Sequence, residues 1–206
     1  MTGIVSQNVG RASGLIKAVS AGGTWTLIKT LTASSDSSLD FVDGTNDVVL
    51  DGTYPIYLFK YINLHPANDL VDFQVNFRDG GSSYDATKTS TVFGALQLED
   101  GSAQNVSYST SYDLAQGTGI QFLASEVGND NDQSISGYMY LFNPASTTYV
   151  KHFLIRASGV HTADIAFDHH TAGYCNTTSA VDAVQFKFGS GNVDSGTVKL
   201  YGLKDS

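Results

Sequence analysis

The segment LVDFQVNFR, residues 70–78, sets Val71, Phe73, Val75 and Phe77 in strict alternation with Asp72, Gln74, Asn76 and Arg78. Successive side chains of a strand point to opposite faces, so this spacing predicts a β-strand with one apolar and one wet face. DAVQFKFG repeats the pattern with Val184, Phe186 and Phe188 against Gln185 and Lys187, and GTVKLYGL with Val198 and Leu200 against Lys199. YPIYLFKYINL and SGYMYLFN are apolar or aromatic on both faces, as expected of strands that are covered twice or lie under a neighbouring subunit.

Turn clusters separate these runs: DGT at Asp43 and again at Asp51, RDGGSS at Arg78, EDGS at Glu99 and GSGN at Gly189. Asp-Gly and Gly-Gly supply the positive φ that tight hairpins require. The chain therefore reads as all-β, an antiparallel β-sandwich of jelly-roll type with roughly ten to thirteen strands. GIQFLASEVG is the one helical candidate, because Ile120, Leu123 and Val127 fall near helical spacing; a strand and a turn fit it equally. Glycines at 3, 10, 14, 22 and 23 interrupt the start of the chain. Residues 1–23 are accordingly expected to form an arm or edge segment, and residues 24–206 one sandwich domain.

Composition narrows the choice of partners. Twenty acidic against 11 basic residues give a net charge of -9, which repels phosphate, so nucleic acid is not expected to bind. No run of eighteen apolar residues suggests a membrane span, and no basic start with an apolar core marks a secretory signal. Cys175 is the only cysteine, so an intrachain disulfide is excluded and the core must hold the fold.

The residues with chemical potential are few. AFDHHTAGYC places Asp168, His169 and His170 in a row, but in a strand the two histidines point to opposite faces, leaving only Asp168 and His170 on one side. Two ligands fall short of the three or four that zinc takes, and His65, His152 and His161 show no ligand spacing. A solvated strand end or an intersubunit contact is the expected role. In EVGNDNDQS, Asp130 and Asp132 are the best calcium candidates, although the glycine and distal glutamate of an EF-hand are missing and an Asx-rich turn explains the residues as well. G-x-S-x-G and P-loop patterns are absent. Neither catalysis nor a cofactor is expected. Eleven tyrosines accompany a single tryptophan; since Tyr buries its ring while keeping its hydroxyl wet, Tyr57, Tyr61, Tyr138, Tyr140 and Tyr149 are read as interface residues.

Several of these stretches together are similar to a family of virion structural proteins from marine bacteriophages, including those of cyanobacteria and other bacterioplankton. The resemblance runs through DGTYPIYLFKYINLHPANDLVDFQVNFRDGGSSYDATKTST, LAQGTG, VGNDNDQSISGYMYLFNPASTTYVKHF and AGYCNTTSAVDAVQFKFGSGNVDSGTVKLYGL, and spans about residues 24 to 203. Its most specific pieces are INLHP from Ile62, YLFNPASTTYVKHF from Tyr140 and the closing SGTVKLYGL. The resemblance implies a non-enzymatic part of a phage particle, located in the virion, with no catalytic residues to carry over. It also implies that AFDHHTAGY lies in a variable part of the pattern. The expected protein is a compact capsid-decoration or tail-attached component, a homo-oligomer of three or more copies that contacts other virion proteins. The alternative is a carbohydrate-binding jelly roll of a tail fibre, with host surface glycans as its partner and the Asp130–Asp132 loop as its site.

Overall fold

The structure, a computed structural model, describes residues 23–204, so the expected N-terminal arm lies outside the described residues except for Gly23. Twelve strands and no helix occur among them. In chain order they are β1 (Trp25–Thr32), β2 (Leu39–Val42), β3 (Ile56–Pro66), β4 (Val71–Arg78), β5 (Lys88–Leu98) and β6 (Gln104–Tyr108). Then follow β7 (Gln121–Val127), β8 (Ile135–Phe142), β9 (Lys151–His161), β10 (Ile165–Cys175), β11 (Ala183–Phe188) and β12 (Val193–Leu203). The fold is all-β and sandwich-like, as the alternating pattern predicts.

Every pairing is antiparallel. One layer runs β1-β12-β3-β8-β9-β10-β5-β6 and the other β7-β4-β11-β2. They are joined at a corner where β7 meets β9 through one residue pair, Val127 with His161. At the far side, Asp36 and Val193 exchange main-chain hydrogen bonds of 3.0 and 2.7 Å, which brings the segment before β2 onto β12 and nearly closes the sheet into a barrel. Turn glycines end the strands where the sequence places them: Gly101, at φ 74°, donates to the Leu98 carbonyl in the β5–β6 hairpin.

The core lies between the layers and is built of interlocked rings. Phe59 of β3 meets Phe41 of β2 edge-on at 5.3 Å and Phe186 of β11 at 5.6 Å; Tyr61 meets Phe73 of β4 at 5.1 Å. Phe77 of β4 stacks on Phe153 of β9 at 5.3 Å. These rings are inaccessible to solvent, and burial of each contributes about 1.5–3 kcal/mol.

One expectation is corrected and one open choice is resolved. The polar face of β4 is not wet, because Gln74 and Asn76 are 7% and 8% exposed. The segment after β4 folds back along the strand, with the Ala86 amide donating to the Phe77 carbonyl at 3.1 Å, and the Lys88 ammonium donates to Asn76 Oδ1 at 2.7 Å. Of the two readings left open for GIQFLASEVG, the structure shows the strand. β7 carries two extra residues against β4, where Val71, Phe73 and Gln74 oppose Val127, Ala124 and Phe122. Bulges of this kind rotate the phase of a strand, so Leu123, Ala124 and Val127 all turn inward with a spacing that imitates a helix.

Candidate interaction face

β10 holds the Asp-His-His stretch in the middle of an eleven-residue strand paired on both sides, to β9 and β5. This is a strand centre rather than the expected strand end. Asp168 and His170 point outward and His169 inward, as the alternation requires. Arg156 of β9 grips Asp168 with both ends of its fork, Nε to Oδ1 at 2.9 Å and Nη2 to Oδ2 at 2.7 Å. His170 Nε2 lies 3.2 Å from the same Oδ2, while its ring stacks on Phe93 of β5 with centroids 4.9 Å apart and planes within 6°. The hydrogen bonds from Arg156, then those from His170, hold the Asp168 carboxyl below its usual range despite partial burial. His169 is packed against Gly94, where an added Cβ would come within 2.3 Å of its Cδ2, and burial holds its imidazolium below the ordinary range.

Sheet register extends this cluster into a line across the outer face. Lys199 of β12 pairs with Lys60 of β3, Lys60 with Tyr138 of β8, Tyr138 with Arg156, Arg156 with His170, His170 with Phe93, and Phe93 with Tyr108 of β6. Directly opposed residues on paired strands share a face, so these side chains form one row over seven strands, about 29 Å wide at ordinary strand spacing. A second row beside it runs Tyr201, Leu58, Tyr140, Leu154, Ala172 and Thr91. Leu27 of β1 continues the row opposite Tyr201, and the Trp25 ring lies 6.1 Å from Tyr140. Between the rows lies a depression of about 310 Å³ lined by Phe93, Tyr138, Tyr140, Leu154, Arg156 and His170. Leu154, Phe93 and Tyr108 are each about half exposed, at 48%, 47% and 52%, and Val106 on the β6 edge reaches 75%. Scattered apolar exposure is ordinary; here the exposed apolar and aromatic residues stand side by side on one sheet face.

The five tyrosines expected at an interface divide. Tyr138 and Tyr140 lie on this face, and Tyr149, in the β8–β9 loop, is 71% exposed. Tyr57 and Tyr61 do not belong to a surface: they are 0% and 1% exposed. The Tyr57 hydroxyl donates to the Asp51 carbonyl at 2.8 Å and that of Tyr61 to the Arg156 carbonyl at 2.6 Å, so each polar tip is satisfied inside the molecule. The calcium candidates Asp130 and Asp132 stand exposed in the β7–β8 loop, a turn closed by the Gln133 amide on the Asp130 carbonyl at 2.9 Å. Among the described residues, no three His, Cys, Asp or Glu side chains converge as a metal site would require.

The sequence pattern did not single out Phe93, Leu154, Arg156 or Lys60, because a charged or apolar residue on a strand carries no mark of which strand lies beside it. No protein-family model matches the chain, and comparison with curated proteins and with solved structures gives no match.

Proposed function

We propose that the chain is a non-enzymatic structural component of a bacteriophage virion. In this reading it is an oligomeric capsid-decoration or tail-attached protein, bound to its neighbours through the outer face of the larger layer. One observation carries the docking role: the unbroken aromatic and cationic row from Lys199 to Tyr108, on a chain whose net charge is -9. Arg156 is paired with Asp168, so the positive charge of this row comes from Lys60 and Lys199, which suit acidic groups of a partner surface, including those of further copies. Its width suits a protein partner, since standard interfaces cover about 800 Å² per side, whereas a small sugar spans two or three strands. The virion assignment rests on the sequence resemblance over residues 24 to 203.

The test is the solution mass of the purified protein, followed by its location in intact particles. Trimers or larger assemblies are expected. Leu154→Asp, on the exposed face and outside the core, is expected to dissociate them with the thermal midpoint of the fold retained. A monomeric wild type absent from phage particles would overturn the reading.

The depression at Tyr138, Tyr140, Phe93 and Arg156 favours a second reading, a host-glycan site, because aromatic faces beside a charged fork suit stacking on a sugar ring and hydrogen bonding to its hydroxyls. Its place is then this depression rather than the Asp130–Asp132 loop. Glycan-array binding that survives chelator and is lost in Tyr140→Ala supports it; an array with no signal removes it.

A further inference from the structure

Lys88, at the start of β5, is completely buried, and among the described residues no carboxylate lies within ion-pair distance of it. An ammonium sealed from water without a paired counter-charge is costly, so burial shifts the group toward its neutral form. Its nitrogen has two partners: the Ala86 carbonyl at 2.6 Å and Asn76 Oδ1 at 2.7 Å. The Asn76 carboxamide is itself fixed from every side. Its Oδ1 also accepts from the Phe77 amide at 3.0 Å, and its Nδ2 donates to the Tyr84 carbonyl. A lysine amine thus rests against the carbonyl group of a buried primary amide, with a main-chain N–H polarising that carbonyl and a main-chain oxygen holding the nitrogen that would leave.

We propose that Lys88 and Asn76 are the site of an intramolecular isopeptide bond. The neutral amine attacks Asn76 Cγ, and the tetrahedral oxyanion is held by the Phe77 amide. The Nζ–Cγ bond forms, the Cγ–Nδ2 bond breaks, and one Nζ proton passes to the departing nitrogen, which leaves as ammonia. No oxidant, cofactor or second substrate enters the balance. Fixed placement of nucleophile and electrophile supplies the rate that two free amides and amines lack in water. Burial, which holds the Lys88 ammonium below its ordinary 10.5, raises the fraction of attacking amine. Lys151 is an internal contrast: equally buried, it donates to the main-chain carbonyl of Thr177 at 2.9 Å and faces no side-chain amide. The product would tie β4 to β5 covalently in a chain whose single cysteine allows no internal disulfide. It stands independently of the docking role.

The experiment is the denatured intact mass of the full chain with mapping of its digest. The expected wild type is one ammonia lighter than its sequence, with a branched peptide joining Lys88 to Asn76. Lys88→Arg and Asn76→Ala are each expected to show the full sequence mass, whether or not they fold well, and Lys151→Arg to keep the ammonia loss. A wild type at full mass, or an ammonia loss that maps to a succinimide or to another residue, overturns the proposal.

Discussion

The Tyr61 phenol donates a 2.6 Å hydrogen bond to the Arg156 carbonyl by reaching under Gly137, which stands between them in the sheet. A Cβ on Gly137 would lie 2.1 Å from that carbonyl and 2.7 Å from the Tyr61 ring, so the ring spans two strand spacings only because the residue between has no side chain. The bond ties the main chain behind Arg156, at the centre of the outer face, to a core ring.

Tyr61→Phe is expected to lower stability by about 1–3 kcal/mol, the usual cost of leaving a buried acceptor without its partner. Gly137→Ala should cost at least as much, because backbone oxygen yields less readily than a flexible side chain. Urea unfolding midpoints of the two variants and the wild type check both.

The Arg156–Asp168 pair should give an acid-dependent stability term. The folded pKa of Asp168 lies below its unfolded value near 3.8, so its contribution is complete above 3.8 and is lost as the pH falls through the lowered folded value. Arg156→Gln should therefore be slightly less stable than wild type at neutral pH, the gap closing in acid. Thermal melts along a pH series check this, and the carbon resonance of the Asp168 carboxyl should titrate at higher pH in the variant.

Cys175 is inaccessible to solvent, and burial is the main force pushing its thiol up to about 12. A thiolate is the reactive form, so a disulfide reagent at neutral pH is expected to label almost none of the native protein and one thiol per chain after denaturation. Rapid native labelling would show that the β9–β10–β5 region opens.

Lys151 is buried with a single carbonyl partner, and burial holds its ammonium below the usual 10.5. Between the lowered folded value and 10.5 the unfolded chain binds more protons, so this residue makes stability rise with pH in that window. Lys151→Met is expected to flatten the rise and to match or exceed wild-type stability at neutral pH by about 1 kcal/mol, since an apolar residue of similar length avoids the desolvation. Denaturant curves at neutral and alkaline pH decide it.

Much of the fold was legible in the alternation of β4, β11 and the Val198–Leu203 part of β12, where apolar side chains of one face alternate regularly toward the core. It failed where local geometry or a distant segment intervenes. β7 could be read as helix or strand because two bulges turn both Leu123 and Val127 inward at a helix-like spacing, and bulges leave no mark in hydrophobicity. Asn76 looked wet because the segment that covers it comes from residues 79–88. The opposite facings of His169 and His170 followed from period two alone. The outer row did not: its members come from seven strands, and only the register shows that Lys60, Arg156 and Phe93 stand in line. Tyr57 and Tyr61 were misplaced because a tyrosine whose hydroxyl finds a main-chain oxygen is as much at home inside as outside.

Across the layers, Phe77 of β4 lies nearly parallel to Phe153 of β9, with planes within 18°, while Phe41 of β2 stands almost upright to Phe59 of β3, at 78°. Rings set both flat and upright leave no direction in which one layer slides over the other without prising a contact apart. Tightly filled interiors compress little. A shove on the outer wall is therefore expected to turn the whole body as a single plate instead of denting it.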